Sequence, residues 1–298
     1  RELANSISRV VKRERITTRS SGAQCQALPA SGPLSSSVSI DKSKEGHLMT
    51  DKKYPPSFPH DPITEIYEDV FFVHGSIKIG PGMQMNRNML IVRQGKDLTL
   101  INPVRLNTDG LGKLKELGDV KNVIRLGDFH GLDDQFYVDG YDATFWCQEG
   151  QETYKTPRPS KLVGEGTIPP FNNAQFFLFK SARYPEAAVL LHKHKLLITT
   201  DSIQYLSDWS YTTPFTKMVL KLMGFKLGLV IGKPWLKRFT PKGGSLMSDF
   251  DKLLELDFDN LVAAHGSLLQ GGAKKALFEV TKAVFSQSQQ EKAPSKTA

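Results

Sequence analysis

Long apolar runs, paired cysteines and glycine-rich nucleotide loops are all lacking from this chain of 298 residues. No stretch reaches the roughly eighteen uninterrupted apolar residues that a membrane-spanning helix requires, so we expect no transmembrane segment. The two cysteines, Cys25 and Cys147, make neither a disulfide framework nor a thiolate metal site. This cysteine usage is typical of a reducing compartment, and we predict a cytoplasmic protein.

Several functional signatures are also missing. Ser202 does not stand in a G-x-S-x-G turn, which excludes the usual serine hydrolase arrangement. The formal net charge is +8, a value that raises nucleic acid as a partner. No recognition helix, zinc finger or stacking platform accompanies the basic residues, so we predict no nucleic-acid partner.

Acidic residues are absent from one segment of the chain, from Trp209 to Ser248. The segment contains these basic residues: Lys217, Lys221, Lys226, Lys233, Lys237, Arg238 and Lys242. One interpretation is a basic, apolar lid or docking surface for an anionic lipid or acyl substrate, with these wall residues: Trp209, Phe215, Trp235 and Phe239. The other is a helical hairpin packed on a sheet with its lysines in solvent. If residues 218–232 formed one helix, Lys221 and Lys226 would not share a face, which argues against a clean interfacial helix.

The two ends of the chain differ in composition from its middle. Residues 1–60 are rich in Ser, Arg, Lys and Pro, and we predict a disordered leader there. Its Arg- and Ser-rich opening is also compatible with a transit peptide, so the alternative localisation is an organelle matrix or stroma. We predict a folded domain over residues 61–288 and a second disordered tail over 289–298.

Alternating apolar strands and polar turns begin near Ile66 and predict an α/β domain. An antiparallel meander of "DVFFVHG", "NRNMLIVRQ" and "LTLINPV" comes first, and the helix "DGLGKLKELG" follows with Asp109 at its cap. The buried strand "VKNVIRLG" comes next. Later strands include the hairpin of "AAVLLHKH" and "KLLITTD" and the strand "FDNLVAAHG", before a closing amphipathic helix. We expect surface positions for Arg87 and Asn88.

Polar residues follow three of these apolar strands. His130 and Asp134 come after "VKNVIRLG", Asp201 comes after "LLITT", and His265 comes after "LVAA". Rigid strand ends can present separated ligands to one hydrolytic metal ion while leaving a position open for water. Each residue taken alone is better explained as a turn residue, a cap or a loop residue that forms hydrogen bonds.

Two of these segments resemble the metallo-β-lactamase superfamily. "KLLITTDSIQ" is similar to its strand that ends in a bridging aspartate, and "LDFDNLVAAHGSLLQGGAKKAL" is similar to its last ligand strand and the following helix. The resemblance covers roughly residues 66–285. It implies a four-layer αββα sandwich with a metal site at one edge.

The metal motif of that superfamily, H-x-H-x-D-H, is incomplete in this chain. His130 and Asp134 match its first histidine and its aspartate, whereas Leu132 and Gln135 replace two histidines and Arg183 replaces a further one. The resemblance therefore implies that one of two metal positions is empty. The other would draw Asp134, Asp201 and His265, with the carbonyl oxygen of Gln135 as a weak fourth ligand, and would suit one Zn, Fe or Mn ion.

Two functions remain open on this basis. The first is a single-metal hydrolase of a small ester, thioester, lactone or phosphoester, in which His130 or Asp133 orients or deprotonates the water. Arg183 would then hold an anionic part of the small-molecule substrate. The second is a metal-free binding or structural module, a pseudoenzyme, whose polar groups are tied together by hydrogen bonds and by an Arg183–aspartate pair.

Overall fold

The structure is a computed structural model that describes residues 54–290, with side chains described for residues 54–286. Most of the predicted leader (1–60) and of the predicted tail (289–298) lies outside the described residues. Residues 54–60, which we assigned to the leader, contact the domain. The Tyr54 hydroxyl donates to Asp139 over 2.8 Å, and His60 pairs with Gly75 in an isolated bridge.

A seven-stranded sheet forms the first half of the domain, with its strands in chain order. Pairing is antiparallel from β1 to β4 and parallel from β4 to β7, which confirms the predicted opening meander. The strands are β1 (Thr64–Tyr67), β2 (Val70–Gly80), β3 (Met83–Gln94), β4 (Asp97–Ile101), β5 (Asp119–Ile124), β6 (Thr144–Cys147) and β7 (Lys161–Leu162).

A four-stranded sheet forms the second half, in the order β13-β10-β9-β8. β9 and β10 form the predicted hairpin, and the last strand, β13, lies parallel to β10. A separate two-stranded sheet pairs β11 with β12. The strands are β8 (Ala174–Leu178), β9 (Ala187–Leu191), β10 (Leu196–Thr199), β11 (Ile203–Leu206), β12 (Gly228–Ile231) and β13 (Asn260–Ala263).

Six helices lie within the described residues: α1 (Thr108–Leu117), α2 (Asp134–Tyr141), α3 (Pro214–Leu222), α4 (Lys233–Phe239), α5 (Met247–Glu255) and α6 (Ala273–Gln290). The cap of α1 is Asn107 and not the predicted Asp109, because the Asn107 side chain accepts a hydrogen bond from the Gly110 backbone. None of the helices in residues 54–290 is long and apolar enough to cross a membrane.

Three apolar clusters separate four layers. The first packs α1 and α2 on the seven-stranded sheet, and the third packs α4 to α6 on the four-stranded sheet. The middle cluster joins the two sheets face to face, with Leu90 and Ile124 on one side and Val189 and Ile198 on the other. The predicted αββα sandwich is therefore confirmed.

Buried polar side chains connect the two sheets at one edge. The Asn88 amide donates to the carbonyl oxygens of Ala263 and Gly266, each over 2.9 Å, and Arg87 is also buried. The expected surface positions of Arg87 and Asn88 are therefore wrong, since β3 runs through the core with both faces covered. The segments that follow β5, β10 and β13 meet at this edge.

Candidate metal centre

Three side chains from distant parts of the chain converge at the edge where the sheets meet. His130 follows β5, Asp201 follows β10, and His265 follows β13. One potential ligand atom from each lies within 4.8 Å of the other two. The His130 Nε2 atom is 3.1 Å from Asp201 Oδ2, and the His265 Nε2 atom is 3.5 Å from Asp201 Oδ1. Among residues 54–286, this is the one group of three such side chains that could hold a metal ion.

The hydrogen bonding of His265 fixes which of its ring nitrogens is free. Its Nδ1 atom lies 2.6 Å from the Asn86 carbonyl oxygen, which can only accept, so Nδ1 carries the hydrogen. Nε2 then presents a lone pair to Asp201. Burial lowers the pKa of His265 to about 4, although the Asp201 carboxylate works in the opposite direction, so the ring is neutral at pH 7. Two electron-rich atoms therefore face each other, an arrangement that a cation between them would stabilise.

Asp201 supplies the negative charge of the group. Burial by itself would raise its pKa, but the nearby His130, His265 and Arg87 together hold that pKa below its ordinary value. Its Oδ2 atom faces the His130 Nε2 atom at 3.1 Å, and its Oδ1 atom faces the His265 Nε2 atom at 3.5 Å. Asp201 is therefore ionised at neutral pH, and each of its oxygens faces one histidine of the group.

The spacing and chemistry of the three groups fit a metal ion. Two ligand atoms placed about 2.1 Å from a tetrahedral Zn²⁺ are roughly 3.4 Å apart. The distances from His130 to Asp201 Oδ2 and from His265 to Asp201 Oδ1, 3.1 and 3.5 Å, are close to that value. Two imidazoles and one carboxylate are ligands that Zn²⁺ accepts, and Fe²⁺ and Mn²⁺ accept them as well.

Glu186 is a buried acid beside this centre that the sequence did not reveal. It precedes β9 and is fully buried. Its Oε1 atom accepts hydrogen bonds from the Thr200 hydroxyl and from the Ser202 backbone N–H, the two residues that flank Asp201. Burial, and next the charge of Asp201, raise the pKa of Glu186 to about 8. Glu186 therefore positions the turn that holds Asp201, and it does so as a neutral acid at pH 7.

Replacing Glu186 with glutamine should change how stability depends on pH. The pKa of Glu186 rises from about 4.5 to about 8 on folding, so the folded state binds an extra proton between those values. The stabilising effect of that proton is complete below about pH 4.5 and is lost as the pH rises to about 8. In urea titrations with chelator present, the free energy of unfolding should fall more steeply with pH for the wild type than for Glu186→Gln. Parallel profiles would show that Glu186 is ionised.

Asp133 and Asp134 each pair with a buried arginine. The Arg87 Nη1 atom donates to Asp133 over 2.8 Å, and the Arg125 Nε atom donates to Asp134 over 2.6 Å. The predicted ligand Asp134 is therefore placed against Arg125 and not against Asp201 and His265. The physical reason is that Arg125 has almost no solvent exposure, and its permanent charge requires a carboxylate.

The remaining predicted site residues near the motif are also engaged elsewhere. Asp133 was predicted to have a catalytic role, but its Oδ2 atom accepts a hydrogen bond from Arg87. Burial raises the pKa of Asp133 although the charge of Arg87 lowers it. The predicted weak ligand Gln135 lies in the first turn of α2, where its amide donates to Asp139 over 2.8 Å. His130, which we assigned to a catalytic role, stands in the metal-binding group in place of Asp134.

Arg183 lies at the rim of a groove that is separate from the three candidate metal ligands. Its guanidinium sits over the Tyr184 ring at 5.3 Å, and its backbone N–H donates to Phe239. Within the described part of the chain, the expected Arg183–Asp201 ion pair is not among the ion pairs formed. Arg183 lines an open groove of about 580 Å³ that none of the three candidate metal ligands lines.

A second arginine, Arg238, lies closer to the motif. Its guanidinium sits over the Phe129 ring at 4.6 Å and over the Tyr184 ring at 4.8 Å, and it is 3.9 Å from Asp128. Phe129 directly precedes His130. Arg183 and Arg238 therefore approach the same tyrosine from two parts of the chain.

Sequence comparisons give no match to a family model or to a curated protein. The fold, in contrast, matches many solved structures. The DIM-1 metallo-β-lactamase aligns with a TM-score of 0.54 and 10% identity over 77% of this chain and 99% of its own. The mono-zinc form of FIM-1 from Pseudomonas aeruginosa aligns with a TM-score of 0.53 and 12% identity over 78% of this chain and 98% of its own.

A third solved structure gives the same result. The metallo-β-lactamase from Pontibacter korlensis aligns with a TM-score of 0.51 and 13% identity over 75% of this chain and 99% of its own. At such low sequence identities the comparisons support the fold alone, and the four layers described above agree with that fold. This chain therefore has the metallo-β-lactamase fold, with only part of the histidine-rich metal motif of that superfamily.

Proposed function

We propose that this protein is a hydrolase that uses a single metal ion held by His130, Asp201 and His265. The observation that supports it most strongly is the neutral His265 Nε2 atom facing an ionised Asp201 oxygen at 3.5 Å. FIM-1, which shares the fold, is described in a mono-zinc form, and this precedent favours one Zn²⁺, with Fe²⁺ or Mn²⁺ as alternatives.

The chemistry of such a centre follows from its ligands. A divalent ion held by His130, Asp201 and His265 would supply a nucleophile at neutral pH, because coordination would lower the pKa of water to about 7. His265 contributes a neutral lone pair through Nε2, His130 contributes a second ring nitrogen, and Asp201 contributes the negative charge. Because Asp201 is the only anionic group of the three, a divalent ion would keep a net positive charge that favours a polarised carbonyl or phosphoryl oxygen.

Exposure of the three side chains limits the substrate. The Asp201 side chain is 17% exposed, whereas that of His130 is 4% exposed, so the centre opens on the side of Asp201. A small reacting group presented at the surface would reach it, which favours an ester, thioester, lactone or phosphoester. Arg183 and Arg238, which flank Tyr184, are the candidates to hold an anionic part of the substrate.

The alternative function is a metal-free binding module, and one observation favours it. Both acids of the incomplete motif are neutralised by arginines, Asp133 by Arg87 and Asp134 by Arg125, without any metal ion. A fold stabilised in this way does not need metal to satisfy those carboxylates.

A reconstitution experiment separates the two functions. The full chain is stripped with a chelator, reloaded with Zn²⁺, Mn²⁺ or Fe²⁺, and assayed with chromogenic esters, thioesters, lactones and phosphodiesters. We expect hydrolysis of at least one class only after reloading, and we expect His265→Ala to lose it. The exposed His192 provides a matched control, since His192→Ala should keep the activity. The absence of both metal uptake and hydrolysis would identify the metal-free module, and hydrolysis that survives the chelator would overturn the metal mechanism.

A further inference from the structure

Helix α3 is apolar on two faces, of which only one is covered. Val219 and Leu220 are buried against the domain. Phe215, Met218 and Leu222 are 50%, 51% and 81% exposed, and their spacing of three and four residues places them on one face. A soluble domain normally covers or disperses such residues, so this face has an unexplained apolar character.

The exposed face continues beyond the helix and is held firmly in place. Leu227, in the turn before β12, is 51% exposed. At the other end, the Thr213 hydroxyl donates to the Gly82 carbonyl oxygen over 3.0 Å, and the Thr213 N–H donates to the Gln84 carbonyl oxygen over 3.1 Å. The start of α3 is therefore attached to the tip of the β2–β3 hairpin.

Lysines border this apolar surface. We define the α3 patch as the following residues: Phe215, Lys217, Met218, Lys221, Leu222, Lys226 and Leu227. Within residues 54–286, none of its three lysines pairs with a carboxylate, and Lys217 lies over the Trp209 ring at 5.8 Å. A shallow groove runs along the patch and is lined by Pro214, Lys217, Met218, Lys221 and Leu222. All residues of the patch belong to the acid-free segment from Trp209 to Ser248.

The helix boundaries change the interpretation of the sequence. A single helix over residues 218–232 would place Lys221 and Lys226 on different faces, which argues against an interfacial helix. The helix ends at Leu222, and Lys226 lies in the turn before β12. The position of Lys226 is therefore no argument against an interfacial helix over Pro214–Leu222. Trp235 and Phe239, predicted as walls of a lid, are buried in the third apolar cluster and do not belong to this surface.

We propose that the α3 patch docks this protein on an anionic phospholipid surface. Phe215, Met218 and Leu222 would insert between the headgroups, and the bordering lysines would pair with lipid phosphates. Charge complementarity favours this occupant over a second copy of the chain, because two copies meeting at the patch would bring the same unpaired lysines together.

The patch lies near the metal centre along one strand. Gln84 binds the start of α3, and Asn86, two residues further along β3, binds His265. Two residues of a strand span about 7 Å. A docked membrane would therefore lie at the same end of β3 as the metal centre. The docking inference does not depend on the proposed hydrolase activity.

Vesicle cosedimentation of the full chain tests this proposal. The vesicles contain phosphatidylcholine alone or phosphatidylcholine with phosphatidylglycerol, at low and high salt. An apolar variant replaces Phe215, Met218 and Leu222 with glutamine, and a charge variant replaces Lys217, Lys221 and Lys226 with glutamine. Matched controls use exposed residues elsewhere, namely Leu162, Ile168 and Phe278 for the apolar set and Lys115, Lys275 and Lys282 for the charged set. All variants keep the same basic N-terminal segment.

The wild type and both controls should bind anionic vesicles at low salt. The apolar and charge variants should each lose about ten-fold or more in partition coefficient, and the wild type should bind neutral vesicles weakly. Circular dichroism verifies that each variant is folded. Equal binding by the variants and the wild type would overturn the proposal. Concentration-dependent self-association that the apolar variant abolishes, without vesicle binding, would also overturn it and would assign the patch to a second copy.

Discussion

Asp201→Asn should abolish the stabilisation of this protein by zinc. Asparagine keeps the shape of the side chain but removes the one negative charge among the three metal-binding residues. With free Zn²⁺ at about 100 times the Kd, the wild type should gain about 2.7 kcal/mol in the free energy of unfolding. For a folded domain of this size, that gain corresponds to a rise in Tm of about 5–10 °C. Differential scanning calorimetry of chelated and zinc-loaded samples measures both values.

An exposed aspartate provides the control for this variant. Asp257 pairs with Lys195 at the surface, so Asp257→Asn should show the same zinc-dependent rise as the wild type. A rise of equal size in Asp201→Asn would mean that zinc binds elsewhere. The absence of any rise in the wild type would favour the metal-free module.

Arg125→Met should be the most destabilising single substitution in the motif region. The Arg125 and Asp134 side chains are 1% and 0% exposed, so removal of the arginine leaves a buried carboxylate without its partner. Breaking such a pair costs about 3–5 kcal/mol. Arg125 also donates to the carbonyl oxygens of Tyr154 and Thr156, and those bonds are lost as well. Urea denaturation of chelated protein measures the cost.

A double variant and a surface pair make this test specific. Arg125→Met combined with Asp134→Leu should recover most of the lost stability, because apolar residues can replace a buried ion pair at little cost. Arg93 pairs with Asp69, which is 45% exposed, so Arg93→Met should cost less than about 1 kcal/mol. If Arg125→Met cost no more than Arg93→Met, Asp134 would not need the arginine and would remain available as a ligand.

The Arg125 variants test how the segment after β5 uses its acids. Asp133 and Asp134 satisfy buried arginines, which leaves His130 to join Asp201 and His265. In this arrangement the ion pairs stabilise the loop independently of a metal ion. The loop is therefore expected to keep its structure when the metal is removed.

Much of the fold could be predicted because its signals are local. The alternation in β2 and β3, the turn into β4, and the apolar runs of β5, β9 and β10 identify strands directly. The cap of α1 was misplaced by two residues because Asn107 and Asp109 are both good capping residues and only geometry separates them. Helix α2 was missed, since its residues had been interpreted as part of a metal-binding loop.

The site could be predicted only in part because ligand sets depend on distances between strands. Asp201 and His265 stand at strand ends whose order resembles the metallo-β-lactamase superfamily, and this placed them together. Asp134 is withdrawn from the group by Arg125, which directly follows β5, and His130 stands there instead. A charged residue at the end of an apolar strand signals a buried partner, and that signal was available in the sequence. Glu186 gave no comparable signal, since only the structure shows that it is buried.

Anomalous diffraction at the zinc absorption edge, from crystals grown with Zn²⁺, tests the central claim most directly. A metal centre formed by His130, Asp201 and His265 predicts one strong peak per chain, about 2.0–2.2 Å from a nitrogen of each histidine and from an oxygen of the aspartate. A crystal with no peak at this edge of the sandwich, or with its peak bound by Asp134 in place of His130, would contradict the account.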